Sequence, residues 1–467
     1  MKCTPGGGYH FPIGVRCGEG RVGKANRLRR KAKEKDRARR RQQRPSGQAA
    51  HHPFADGPQQ RRPSVIEQVE VLVDEATYAT VKGDDDLVQA CGTRLAERGD
   101  PQVVDPTLCR ILAQSVTLTW RYGWQPADLV RQALRGHGKP VARMMTDAIA
   151  GEMRAYSAAT VDESWQRQLA QLGAVVWWPS DGGFLQDWAK AHGSDRRAVI
   201  EVVLYTVALL RTLPRLQLLC PPPGKARPGA RAGTTQVDQR MLDKVRALLA
   251  KAESTEFPEE AEALTSRAQQ LMARHSIDHA LLAAETGNRQ DPAGRRLPVD
   301  NPYESPKAVL LSEVARANRC QAVWSKDLGF TTVVGFPADL DAVELLFTSL
   351  LIQATSALVH EGSKYGPGGR SRTRAFRQSF LGSYASRIGE RLRGATDEVV
   401  RQAAAETPGT NLLPVLASRV KAVDDTTDAL FPELTEHRMS AVTDREGWLS
   451  GRAAADLADL NVRTPVK

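Results

Sequence analysis

The sequence predicts a mainly α-helical protein with a small α+β module in its C-terminal part. Two observations lead to this fold class. Apolar residues recur every three or four positions over much of residues 65–285, which is the period of an amphipathic helix. Two short runs rich in β-branched and aromatic residues flank a glycine-bearing turn after residue 319. We therefore expect a helical bundle, a helical hairpin domain, and helices packed on a small antiparallel sheet.

Composition indicates a soluble cytoplasmic protein. The 467 residues are 41% hydrophobic with a mean hydropathy of −0.40, and this length corresponds to about three domains. The longest apolar run, near residues 199–210, is too short to cross a bilayer, and the glycines that follow Lys2 leave no apolar stretch for a secretory leader. Six scattered cysteines without a CxxC pair are typical of reduced thiols. We expect no membrane contact, no metal and no cofactor.

Residues 1–64 differ in composition from the rest of the chain. They hold 17 Lys and Arg against 4 Asp and Glu, a net charge of +13, whereas the whole chain has +11. Glycine runs, a basic block and a stretch rich in Pro, Gln and His offer little apolar surface to bury. The pattern predicts a disordered basic tail attached to a nearly neutral body.

From Val65 onward, helical segments alternate with Pro- and Gly-rich connections. Pro126 and Asp195 suit the first positions of two helices, because proline needs no N–H partner and aspartate caps free N–H groups. The expected order is a helical domain at 65–220, a linker at 221–238, a helical hairpin domain at 239–285, a linker at 286–306 and an α+β domain at 307–467.

The α+β domain is expected to combine helices with one β-hairpin. Asp327-Leu328-Gly329 has the composition of a three-residue turn, so residues 320–326 and 330–336 should pair as antiparallel strands. A lone hairpin is only marginally stable, and its sheet therefore needs another strand or covering helices. Apolar stripes predict helices at 307–318, 340–358 and 373–406, and another around Gly447 and Gly451.

The hairpin domain has the most informative sequence of the chain. Residues 241–282 read MLDKVRALLAKAESTEFPEEAEALTSRAQQLMARHSIDHALL. Ser254-Thr255 and Pro258 suit the start of a second helix, and Ser276 is expected to cap a short third one. The run resembles a small helical domain of unknown function, DUF2786, found in prokaryotic proteins, many from actinobacteria and their mobile elements. The matching residues are Lys244-Val245-Arg246, Leu248–Ala252, Phe257-Pro258, Glu260-Ala261, Leu271-Met272 and His275. The resemblance implies a helical fold and supplies no catalytic residues.

Histidines at two places in the sequence are candidate metal ligands. His275 and His279 are four residues apart, as in helical zinc sites, but the expected break at Ser276 would separate them. His360-Glu361 begins like HExxH, but Lys364 stands where the second histidine would be. We expect neither pair to bind a metal.

Other candidate groups also lack the surroundings that chemistry requires. Ser383 is in a helical pattern and fails the GxSxG nucleophile elbow, which needs a strand-to-helix turn. Cys320 opens a buried strand and is expected to be a core thiol. The glycine loop at 362–370 has no P-loop motif. No catalytic residue is predicted.

The basic tail is the one segment whose composition favours a ligand class. Residues 21–44 carry thirteen Lys and Arg against two acids, and such density favours polyanions because phosphate contacts release counterions. Since this segment has no aromatic residue for base stacking, binding should be non-specific, with DNA as the expected partner. The alternative is a solvated extension without function. The candidate residues are Lys24, Arg27, Arg29, Arg30, Lys31, Lys33, Lys35, Arg37, Arg39, Arg40, Arg41 and Arg44, with a weaker second group at Arg370, Arg372, Arg374 and Arg377.

Three functional hypotheses follow. The first is a non-enzymatic cytoplasmic protein that binds nucleic acid through its tail and partner proteins through its helical modules. The second is a hydrolase, nuclease- or peptidase-like, whose site lies in residues 300–467 and draws on His360, Glu361 or the arginines at 370–377. The third is a pure protein-interaction scaffold. A pocket at which those side chains converge would favour the second.

Overall fold

The computed structural model describes the backbone of residues 14–18 together with residues 64–226, 236–255, 258–286, 291–366, 369–406, 412–438 and 443–457. The chain divides into two compact units, one within residues 20–230 and one made of residues 1–19 and 231–467. Both are mainly helical, and the second also contains a small sheet, which confirms the predicted fold class.

The first unit is a helical bundle. Pro126 occupies the first turn of its helix and Asp195 caps the last one, both as predicted, and Ser64 forms a capping box with Glu67. The helices are α1 (Val65–Lys82), α2 (Asp85–Arg98), α3 (Pro101–Arg121), α4 (Pro126–His137), α5 (Lys139–Met153), α6 (Glu163–Leu172), α7 (Phe184–His192) and α8 (Arg196–Thr212).

Tryptophan side chains supply much of the packing in this bundle. Trp120 and Trp165 meet edge to face with ring centroids 4.7 Å apart. The indole of Trp120 donates to the carboxylate of the buried Glu152 at 2.7 Å, and the Tyr156 hydroxyl donates to the same carboxylate at 2.7 Å. A buried carboxylate with several donors avoids the cost of burying an unpaired charge.

The second unit combines strands and helices. Its described strands are β1 (Gly14–Gly18), β2 (Ala293–Pro298), β3 (Gln321–Ser325), β4 (Phe330–Gly335) and β5 (Leu434–Arg438). Its helices are α9 (Gln236–Ser254), α10 (Pro258–Thr286), α11 (Glu304–Ala317), α12 (Pro337–His360), α13 (Thr373–Glu406), α14 (Leu412–Leu430) and α15 (Arg445–Leu457).

The sheet has the strand order β2-β4-β3-β1-β5. Strand β4 pairs antiparallel with β2 and β3, with Ala322 opposite Val333, which confirms the predicted hairpin. Gly329 in its turn has a φ of 66°, a left-handed conformation that glycine adopts readily. Strand β1 runs parallel to β3, with Arg16 opposite Val323, and antiparallel to β5.

One hydrophobic core joins the helical hairpin to α11, α12, α13 and α15 of this unit. Val245 and Met272 of the hairpin belong to the same buried cluster as Leu310, Val343 and Phe380. Helix α12 is long and apolar enough to cross a membrane by length and composition. Its apolar stripe lies in this cluster, and the core helix of a soluble protein passes the same test.

Helix α15 packs against α13 almost backbone to backbone. A Cβ atom on Gly451 would lie 2.8 Å from the carbonyl carbon of Phe380, and one on Gly447 would lie 3.0 Å from that of Phe376. The Ser383 hydroxyl donates across this contact to the carbonyl of Trp448 at 2.6 Å. Glycine is therefore required at both positions of α15, since any larger residue would force the helices apart.

The structure departs from the expected domain organisation in three ways. Residues 286–306, expected to be a linker, contain β2. The segment AGRRLP lacks the alternation of a strand and becomes one by pairing with β4. The helical hairpin shares its core with the α+β domain instead of folding as a separate unit. Residues 221–226 of the first linker contact the first unit, where the Gly224 amide donates to the Thr160 carbonyl at 2.9 Å.

The structure also bears on two further expectations, the disordered tail and the helix break at Ser276. Gly14–Gly18 form β1 within the sheet, and the rest of residues 1–63 lies outside the described residues. Helix α10 is continuous through Ser276, so the prediction of a third helix is wrong. Ser276 is buried and receives a hydrogen bond from Arg319, which accounts for a serine in the interior of this helix.

Candidate functional site

The candidate site begins at the end of α11, where the backbone turns through Arg319. Arg319 has a φ of 57°, a left-handed conformation, and the amide of Cys320 donates back to the Ala315 carbonyl at 2.9 Å. This position after a helix is usually glycine, because a side chain there costs about 1–2 kcal/mol. The arginine side chain therefore adds backbone strain that glycine would avoid at this position.

The guanidinium of Arg319 extends toward α10. Its Nη1 donates to the Ser276 hydroxyl at 3.0 Å, while its Nη2 is buried and has no hydrogen-bond acceptor. Burial lowers the pKa of Arg319, the carboxylate of Asp339 opposes that effect, and the charge of Arg419 adds to it. Two arginines therefore lie close enough to repel each other.

Arg419 approaches the same carboxylate from α14. Its Nη2 lies 3.3 Å from Oδ2 of Asp339, and the two side chains are only 11% and 4% exposed. The guanidinium lies over the ring of Phe336, with 3.6 Å between its central carbon and the ring centroid. Its Nε is buried without an acceptor. Stacking on the ring uses the face of the guanidinium and not its N–H groups.

We call Arg319, Asp339 and Arg419 the arginine cluster. Asp339 lies in the first turn of α12, where the helix dipole favours a negative charge. Arg419 binds this carboxylate, and the charges of Asp339 and Asp397 partly offset the lowering of the pKa of Arg319 by burial. Two of its donors lack acceptors. Its chemistry is that of binding an oxygen-bearing anion, since guanidinium groups are donors that stay protonated.

Cys320 lies beside the arginine cluster and is part of the core. The thiol is 4% exposed and lies 3.4 Å from the carbonyl oxygen of Asn318. Burial raises its pKa well above the usual value, and the charge of Asp339 acts in the same direction. A protonated buried thiol is a weak nucleophile, so Cys320 packs here as the sequence predicts.

None of the sequence-predicted basic residues is a member of this cluster. The twelve candidates from Lys24 to Arg44 lie outside the described residues. In the second group, Arg372 is bound by Asp444 at 2.9 Å and also by Glu446, whereas Arg370 and Arg374 are exposed. Arg377 is half-buried, and its Nε is buried without an acceptor.

The side chains on which the hydrolase hypothesis draws form structural contacts. Lys364 pairs with Glu361 at 2.9 Å and with Glu446 at 3.2 Å, and Glu446 also binds Arg372. These carboxylates and cations therefore neutralise each other in one ion-pair network. His360 does not join it, because its Nδ1 lies 2.8 Å from the carbonyl oxygen of Ser356 in its own helix.

His275 and His279 are closer together than the sequence predicted. Because α10 is continuous, both rings project from one helix, with centroids 4.4 Å apart. Within the described ranges, no group of three or more His, Cys, Asp or Glu side chains is arranged to hold a metal ion. The two rings therefore lack a third ligand in the part of the chain that the structure describes.

Sequence reasoning did not identify the arginine cluster. Its members are up to 100 positions apart in a chain with 65 Lys and Arg, so only folding distinguishes them from surface cations. One local signal was available at the end of α11. The segment Asn318-Arg319-Cys320 ends a helix without glycine, although a glycine is the usual residue at such a turn.

Comparison with known proteins relates part of the chain to a family. A family model described as "Protein of unknown function (DUF2786)" matches residues 240–279, which cover most of α9 and the larger part of α10. Ser276, the hydrogen-bond partner of Arg319, lies within the matched segment. No curated protein and no solved structure matches the chain. The match identifies a domain of unknown function and supplies no activity.

Proposed function

We propose that this protein is a non-enzymatic cytoplasmic protein that binds nucleic acid, DNA foremost, through its basic tail and partner proteins through its helical units. The observation that carries the nucleic-acid part is the separation of charge along the chain. Residues 1–64 have a net charge of +13, so the remaining residues sum to about −2.

Pairing of charges in the second unit supports this assignment to the tail. Arg295 binds Asp341 and Glu344 at 2.7 Å each, and Arg372 and Arg393 also bind carboxylates. These arginines could contact a phosphate only if an existing ion pair with a carboxylate were broken. The excess positive charge therefore belongs to residues 21–44, whose thirteen Lys and Arg face only two acids in the sequence.

The connection between tail and sheet determines how the proposal should be tested. Strand β1 ends at Gly18, three positions before Arg21, so deleting the whole N-terminal segment would also remove a strand. A better variant carries glutamine at the twelve candidate positions from Lys24 to Arg44 and leaves Gly14–Gly18 intact. A second variant with residues 21–44 in shuffled order keeps the charge and serves as the matched control.

The measurement is the affinity of the full chain for short duplex DNA as a function of salt. With about six to eight phosphate contacts, the slope of log K against log salt should be about −5 to −7 for the natural and the shuffled chain. The glutamine variant should lose nearly all binding. Undiminished binding by the glutamine variant would place the site in the folded units and overturn the proposal.

Two further controls separate the rival interpretations. Glutamine at Arg370 and Arg374, the exposed members of the second group, should weaken binding less than about tenfold, because the proposal places the phosphate contacts in residues 21–44. DNA recovered after incubation with the protein and Mg²⁺ should be intact. Cleaved DNA would instead support the hydrolase alternative.

A further inference from the structure

The arginine cluster contains buried hydrogen-bond donors that have no acceptor. Asp339 is the carboxylate bound by Arg419, whereas Nη1 of Arg319 donates to the Ser276 hydroxyl. Nη2 of Arg319 and Nε of Arg419 are buried without acceptors. Native proteins rarely leave buried donors unsatisfied, because each unmade hydrogen bond is costly. The cluster therefore has the composition of a site that a bound oxyanion would complete.

We propose that Arg319 and Arg419 bind a phosphoryl group of a small ligand, either inorganic phosphate or a phosphate monoester. Phosphate oxygens accept the paired N–H groups of arginine in a geometry that lysine cannot offer. A phosphoryl group would compete with Asp339 for the guanidinium group of Arg419. This site is independent of the tail and does not rest on DNA binding.

The backbone at Arg319 supports a role for the side chain beyond packing. A left-handed residue after a helix would be satisfied by glycine, and the turn itself is held by backbone hydrogen bonds from Arg319 and Cys320. The turn therefore does not depend on the guanidinium of Arg319. Arg419 adds a second one, oriented by stacking on the ring of Phe336.

The same backbone provides a variant that separates binding from folding. Arg319→Gly removes the guanidinium and places glycine in the conformation that suits it, so the turn is expected to persist. Asp339→Asn keeps the shape of the side chain and removes the competing negative charge. Arg401→Gln is the matched control, because Arg401 is 73% exposed and pairs only with Glu398 of its own helix in the described structure.

The test is isothermal titration of the full-length protein at constant ionic strength with inorganic phosphate, and separately with AMP and glycerol 3-phosphate. We expect saturable binding to at least one of these probes, and the strongest of them identifies the source of the phosphoryl group. Arg319→Gly should weaken that binding by about tenfold or more, because hydrogen bonds to charged groups are worth at least such a factor. Asp339→Asn should strengthen it, and Arg401→Gln should leave it unchanged.

Two results would overturn the proposal. One is the absence of binding to all three probes by a folded protein. The other is binding that Arg319→Gly leaves intact, which would place the anion elsewhere and make the cluster a purely structural contact. The salt dependence of DNA binding should be the same in Arg319→Gly and the natural chain, so this test can fail without affecting the proposed function of the tail.

Discussion

Replacing Gly451 by alanine tests whether α15 is held against α13 by direct backbone contact. In an exposed helix, this change stabilises by up to about 1 kcal/mol, because alanine is the better helix former. At Gly451, however, the new methyl carbon would lie 2.8 Å from the Phe380 carbonyl carbon, whereas carbon atoms prefer about 3.5–4.0 Å. Helix α15 must therefore move outward by about 1 Å.

Two costs follow from that movement. Overpacking a filled contact costs about 1–3 kcal/mol. The hydrogen bond from Ser383 to the Trp448 carbonyl, 2.6 Å long, would be stretched at a further cost of about 1 kcal/mol. After subtracting the gain in helix propensity, we expect Gly451→Ala to destabilise the second unit by about 1–3 kcal/mol.

Gly394 provides the matched control in the partner helix. It lies within α13, and a Cβ atom built there meets no atom within 4 Å. Gly394→Ala should therefore stabilise the unit by about 0.5–1 kcal/mol. The assay is urea unfolding of both variants, with hydrogen exchange of residues 445–457 as a local readout. Equal or greater stability of Gly451→Ala than of the natural chain would refute the close contact.

Three more predictions concern the second unit. Arg319→Gly should be more stable than Arg319→Ala by about 1 kcal/mol in urea unfolding, because only glycine fits the left-handed backbone without strain; equal stabilities would contradict that conformation. Hydrogen bonds from Arg372 and then Lys364 lower the pKa of Glu446, so its stabilising contribution is present above pH 4.5 and is lost as pH falls through the lowered pKa. The stability difference between the natural chain and Glu446→Gln should therefore shrink between neutral and acidic pH, and a pH-independent difference would count against this network. A chelator should leave the melting temperature unchanged, since the histidine pair of α10 has no third ligand among the described residues; a drop would reveal a metal.

Local signals in the sequence were sufficient for several elements of the second unit. The helix predicted at 373–406 has those bounds in the structure, because its apolar residues keep a helical period and a glycine loop precedes it. The hairpin of β3 and β4 was predicted from strand composition and from a turn whose glycine adopts positive φ. Both depend on residues close together in the chain.

Other elements could not be predicted because their cause is distant in sequence. Ser276 has the composition of a helix cap, yet it stays within α10, where Arg319 donates to it from 43 positions away. The segment AGRRLP lacks strand alternation and becomes β2 by pairing with β4. Gly14–Gly18 likewise become a strand through β3 and β5. In each case a tertiary partner outweighs a weak local preference.

The sequence by itself determined the helical class, the hairpin of the sheet and the separation of positive charge into residues 1–64, since these follow from composition and short-range periodicity. Only the tertiary structure decided which arginines pair fully with carboxylates and which keep a buried donor without an acceptor. Arg372 met Asp444 and Glu446, whereas Arg319 and Arg419 each keep a buried donor without an acceptor. That outcome depends on how α10, α11, α12 and α14 pack, because the energy of a charge is set by its burial and its neighbours rather than by its position in the chain.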